Sequence, residues 1–112
     1  MGKEFHIIEI KDLQEGNVAR LDFRWVIEKG EKGKITDFAI NISLLEDEKT
    51  VDIYRVDTKH GYLHEQKFWI SPKPLPFNMN YNVAFVKKKK EVFENYERYV
   101  KNFKDAKKRG EI

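Results

Sequence analysis

Between Val18 and Glu46 the chain alternates apolar and polar residues twice, and this alternation constrains the fold more than any other feature. In the first stretch Leu21, Phe23, Trp25 and Ile27 fall on one side, and Arg20, Asp22, Arg24 and Glu28 on the other. In the second, Phe38, Ile40, Ile42 and Leu44 oppose Ala39, Asn41 and Ser43. A period of two sends successive side chains to opposite faces of an extended strand, so each stretch reads as a half-buried strand. Gly30-Glu31-Lys32-Gly33 joins them, and a short glycine loop between two such strands makes a hairpin. A sheet with one apolar face needs something to cover it.

The rest of the chain supplies more strands and then the cover. KEFHIIEI at 3–10 is β-prone, and Gly16-Asn17 marks a turn within 12–17. A charged turn, Glu46-Asp47-Glu48-Lys49, leads into TVDIYRVD, and Thr58-Lys59-His60-Gly61 separates that from YLHEQKFWI as a second hairpin. Residues 71–77, SPKPLPF, hold all three prolines. Proline fixes φ and removes a donor, so the sheet is expected to end there in a rigid connector. From about Asn80 the period turns helical: Phe85, Phe93, Tyr96, Val100 and Phe103 form a stripe whose wide gap is filled by Lys89. Glu94–Arg98 and Glu97–Lys101 are acid-before-base pairs that favour a helix, and Gly110 is a stop beyond its end. The expectation is an α+β fold in one domain, 1–112. Five mostly antiparallel strands span about 3–70, and one long C-terminal helix, about 80–108, packs on them.

Composition narrows function by exclusion. A chain of 112 residues without cysteine has no disulfide scaffold, Fe–S cluster, thiolate zinc site or cysteine nucleophile. No apolar run approaches the ~18–20 residues of a membrane helix, and MGKEFHIIEIKD has no signal-peptide stretch, so a soluble cytoplasmic protein is expected. The net charge of +3 is unevenly spread. Residues 1–77 hold 12 basic and 14 acidic side chains, and residues 78–112 hold 10 and 5. The basicity belongs to the helix.

Two of the three histidines lie close together, in Asp57-Thr58-Lys59-His60-Gly61-Tyr62-Leu63-His64. Any even-length loop in the second hairpin puts Arg55, Asp57, Tyr62, His64 and Gln66 on one face, with Val51, Ile53 and Phe68 at its apolar end. One such loop sets Asp57 opposite His64 and Arg55 opposite Gln66; another sets Asp57 opposite Tyr62. Histidine gives and takes protons near neutral pH, arginine forks onto phosphate, an Asp fixes a histidine tautomer, and a Tyr hydroxyl donates to an oxyanion. These are the parts for metal-independent RNA cleavage, with His64 and His60 as acid and base, Arg55 as phosphate clamp, Asp57 as orienter, and Lys59 and Lys67 on flanking phosphates. The same residues also read as polar turn residues and surface ion pairs. Asp57, His60 and His64 lack standard zinc or non-haem iron spacing, so neither metal nor cofactor is expected. The run Lys87–Lys90 reads either as a backbone contact for nucleic acid, through Lys87, Lys88 and Lys90, or as a solvated face with the Lys89 stem over the core.

The stretch Arg55-x-Asp57-x-x-His60-Gly61-x-x-His64 resembles a family of small prokaryotic toxin-like proteins with that strand–turn–strand pattern. In that family a further histidine commonly follows; here Gln66 stands at the place. The resemblance implies a toxin–antitoxin component acting on RNA, and a small helix-turn-helix antitoxin-like partner. The architecture is also similar to RelE-like ribosome-dependent RNases. The alternatives are a non-catalytic module binding nucleic acid or protein through the sheet edge and the basic helix, and a homodimer that pairs exposed strand edges.

Overall fold

A computed structural model describes residues 2–13, 16–30, 33–46 and 48–112. Parts of the turns expected at 12–17, 30–33 and 46–49 lie outside the described residues. Strands β1 (Lys3–Asp12), β2 (Val18–Ile27), β3 (Ile35–Glu46), β4 (Lys49–Asp57), β5 (His64–Lys67) and β6 (Leu75–Pro76) precede a helix, α1 (Tyr81–Lys108). The strands form one antiparallel sheet in chain order, β1-β2-β3-β4-β5-β6. Each strand pairs with its sequence neighbours, so the fold needs no crossover.

The proline segment is more than a connector. Leu75 and Pro76 pair with Glu65 and His64 as a sixth, two-residue edge strand. A proline is tolerated at an edge because the outward side of an edge strand needs no donor. β5 is shorter than the alternation suggested. The Ile70 and Ser71 amides both donate to the Lys67 carbonyl (2.9 and 3.1 Å), which turns the chain before residue 70.

One face of the sheet carries the core. Leu21, Phe23, Phe38, Ile40, Ile42, Leu44, Tyr54 and Val56 are fully buried there, beneath Phe85, Val92, Tyr99, Val100 and Phe103 of α1. Burial of such side chains contributes about 1.5–3 kcal/mol each before chain entropy is counted. Aromatic rings join the layers: Trp25 and Phe38 meet Phe85 at 5.1 and 5.4 Å, and Tyr54 meets Tyr99 at 5.2 Å. The helix is rotated slightly from the expected stripe. Val92 and Tyr99 point inward, while Phe93 and Tyr96 pack from the flank, Phe93 stacking on Phe23 at 5.0 Å. Lys89 does fill the gap: its Nζ lies 5.8–6.0 Å from the rings of Trp25, Phe23 and Phe85. Asn80 caps the helix, its side chain accepting from the Asn82 and Val83 amides.

A bulge in β4 decides which residues face the helix. Ile42 pairs with Tyr54 but Ser43 pairs with Asp52, leaving Ile53 as an extra, fully buried residue. Tyr54 and Val56 therefore point to α1, and Arg55 and Asp57 point away. Val51, opposite Leu44, turns to the helix side. This corrects the expectation that Val51 and Ile53 extend the face of Arg55; the bulge breaks the alternation between them. Among the described residues no helix is long and apolar enough to cross a membrane.

Candidate functional site

The second hairpin closes through six residues, 58–63, an even number. Asp57 therefore lies opposite His64, and Arg55 opposite Gln66, all on the sheet face away from α1. Asp57, His64 and Gln66 are buried, and the Arg55 side chain is 43% exposed. Asp57 Oδ1 is 2.6 Å from His64 Nε2, and Arg55 Nε is 3.7 Å from Asp57 Oδ2. The Arg55 guanidinium also lies over the Phe68 ring at 5.8 Å.

The loop is organised by the same two side chains. The Lys59 amide donates to Asp57 Oδ1 (3.1 Å), and His64 Nε2 is 3.2 Å from the Lys59 carbonyl oxygen. Thr58 ties the loop to β3: its hydroxyl accepts from the Phe38 amide at 3.0 Å and donates to Asp37. His60 and Gly61 are both left-handed, with φ of 71° and 82°, so the exposed His60 ring is carried on a tight reversal. Tyr62 follows on extended backbone, its exposed ring 5.3 Å from the His64 ring.

This arrangement engages Nε2 of His64, so that Nδ1 is the ring nitrogen outside the Asp57 and Lys59 contacts. Beside it stand one partly exposed guanidinium and one exposed phenol. The set suits a single anionic group and one proton. The wider face is not basic. Arg24 pairs with Glu4 and Asp37 at 3.1 and 3.0 Å, and Arg20 and His6 pair with Asp22 at 2.9 and 3.1 Å.

The lysines do not gather around the histidines. Lys59 is exposed on the loop, next to the site. Lys67 pairs opposite Tyr54 and so belongs to the helix side. Lys87 and Lys90 are exposed on α1, which covers the other face of the sheet. Lys88 is corrected outright: its ammonium is a structural cation, 2.9 Å from Glu65 and 3.2 Å from Glu91. The basic helix and the histidine cluster are therefore on opposite sides, and one stretch of nucleic acid backbone cannot lie on both.

A second polar cluster, invisible to local pattern, lies under the helix. The Tyr54 hydroxyl donates to Glu65, which Lys88 also grips. Burial pushes the Tyr54 hydroxyl far above its usual range, and the neighbouring Glu65 charge adds to this. Burial acts to raise Glu65, but the hydrogen bonds from Tyr54 and Lys88 outweigh it and hold the carboxyl below its ordinary value. Burial likewise acts to lower Lys88, and Glu65 and Glu91 together reverse this and raise it. The available signal was parity: Tyr54 shares a strand face with Val56, which places its hydroxyl inside. Among the described residues no cluster of three or more carboxylate or imidazole groups is placed to hold a metal ion.

A family profile described as Domain of unknown function (DUF7718) matches residues 9–109. No curated protein and no solved structure matches the chain.

Proposed function

The chain belongs to the DUF7718 family, a domain of unknown function, and from that premise we propose that it acts on RNA at the outer face of β4 and β5. The carrying observation is the Asp57–His64 pair at 2.6 Å beside the half-exposed Arg55. Asp57 orients the imidazole and stabilises its protonated form. Nδ1 of His64 takes the proton of a ribose 2′-hydroxyl, whose oxygen attacks the adjacent phosphorus. Arg55 stabilises the charge that builds on the phosphate, with the Tyr62 hydroxyl as a further donor. His60, on the loop tip, gives its proton to the departing 5′-oxygen. The toxin-like resemblance of residues 55–64 supports this class of reaction, together with a small helix-turn-helix partner.

Few cations surround the site, and that shapes the expectation. Arg55 and Lys59 are the two that can neutralise phosphates there. The logarithm of the affinity for single-stranded RNA should therefore fall against log salt with a slope of only about −1.4.

The test is incubation of the purified protein with RNA in chelator, comparing wild type with His64→Gln, Arg55→Gln and a Lys87→Gln/Lys90→Gln double variant. Cleavage is expected in wild type, lost in the first two and kept in the third. Full cleavage by folded His64→Gln overturns the reading.

One observation favours a second reading. Asp57, His64 and the Lys59 backbone satisfy one another, so the pair is complete as a loop staple without any ligand. On this reading the protein is a non-catalytic binding module. RNA binding would then survive His64→Gln and weaken in the Lys87→Gln/Lys90→Gln variant.

A further inference from the structure

We propose that two copies of this chain pair antiparallel through the free edge of β1, forming a closed dimer with a continuous sheet. The observation is independent of the hairpin site. β1 runs ten residues and, among the described residues, pairs only with β2, residue for residue and without a bulge, so its other side offers a long regular row of main-chain groups that the described sheet leaves unpaired. It contains no proline. Around the middle of that edge Ile7, Ile8 and Ile10 are 42%, 46% and 59% exposed. Ile7 lies on the helix side of the sheet, and Ile8 and Ile10 on the other, because side chains alternate. An added strand covers both faces at once, which a ligand resting on one face does not. Charged residues stand at its two ends, Lys3 and Glu4 at one and Lys11 and Asp12 at the other, and the isoleucines between them leave the middle of the edge open as a pairing template.

The chain itself indicates the occupant. The opposite edge of the described sheet, β6, is two residues long and contains Pro76, so it is blunted. A copy joining by β1 to β6 would build a filament and would need that edge. Joining β1 to β1 uses the edge that the described sheet leaves open on each copy and stops at two chains. A two-fold axis perpendicular to the sheet keeps each residue on its own face, so opposite residues share parity. With the axis at Ile7 or Ile8, isoleucine meets isoleucine at the centre. With the axis at Ile7, Phe5 also lies opposite the partner's Glu9, and Lys3 opposite the partner's Lys11, a cation that Glu9 of the same strand pairs at 3.3 Å.

Sedimentation and light scattering on wild type should give twice the 13.4 kDa chain mass across the micromolar range. The Ile8→Lys/Ile10→Lys variant changes two exposed positions and should keep its circular dichroism while running as a monomer. The chain has no cysteine, so single cysteines report the edge directly. Ile7→Cys or Ile8→Cys should form an intermolecular disulfide under mild oxidation much faster than Ile70→Cys, a control that is more exposed still. A wild-type monomer throughout, assembly beyond two chains, or cross-linking no faster than the control overturns the proposal.

Discussion

Lys88 on α1 and Glu65 on β5 meet with Nζ 2.9 Å from Oε2, tying the helix to the strand that carries His64. Removing one member strands the other in a largely buried place. Lys88→Met should destabilise the protein by about 1–3 kcal/mol, below the figure for a wholly enclosed pair because some solvent reaches it. Urea unfolding gives the number, and an unchanged midpoint would contradict a structural role for Lys88.

The same pair sets a pH dependence. Glu65 is held below its ordinary value of 4.5, so its contribution is fully present above that pH. It is lost as pH falls through the depressed folded value. Lys88 is raised above 10.5, so its contribution persists until pH climbs through that raised value. Stability measured from neutral to acid pH should fall less steeply in Lys88→Met than in wild type. Parallel curves would show that the pair does not govern the acid limb.

Thr58 accepts from the buried Phe38 amide and donates to Asp37. Thr58→Val keeps the shape and removes both bonds. The orphaned amide should cost about 1–3 kcal/mol, and Thr58→Ser should restore most of it. Equal stability of the two variants in thermal unfolding would refute this.

His60 holds a left-handed backbone at φ 71°, a conformation that glycine adopts more readily. His60→Gly should leave stability unchanged or raise it by up to about 1 kcal/mol, since relief of strain is offset by the freer unfolded chain. If His60 donates to the leaving oxygen, the same variant loses RNA cleavage. Improved folding with undiminished cleavage would remove His60 from the mechanism.

Asn80 accepts from two amides at the start of α1, and Asn82, two residues on, accepts from the Ile35 amide at 3.0 Å. Asn80→Ala should cost about 1 kcal/mol by loss of the cap. Asn82→Ala should in addition raise hydrogen exchange at Ile35, where β3 begins. Slow exchange at Ile35 in that variant would show that the side chain does not hold the strand.

The sequence made the first hairpin and the helix legible because each obeys a single period over many residues. Leu21, Phe23 and Trp25, and Phe38 to Leu44, face inward as their alternation requires, up to a register shift between Val26 and Ile27, and the helix starts one residue after the expected Asn80. The face of the second hairpin was also within reach, since any even loop puts Arg55, Asp57 and His64 on one side, while the choice between its two registers belongs to the folded loop, which sets Asp57 against His64. Three things were not. The Ile53 bulge has no local signature, and it turns Val51 to the face opposite the one that strict alternation predicts. Pro76 suppressed a strand because the rule against proline applies to interior strands and not to edges. Lys88 looked like its neighbours Lys87 and Lys90, and only the helix rotation over Glu65 distinguishes it. Chemistry at the site was legible as residue types, but the separation of helix and histidines on two sides of the sheet is a property of the assembled layers.

β5 is only four residues long, and its alternate side chains answer to different masters. Glu65 is gripped from the helix side, while His64 and Gln66 look outward. Neighbouring residues of one short strand thus bind the helix on one side, through Glu65 and Lys88, and close the Asp57–His64 pair on the other. Whatever fixes the backbone at Glu65 therefore also fixes where the His64 ring begins, one residue away.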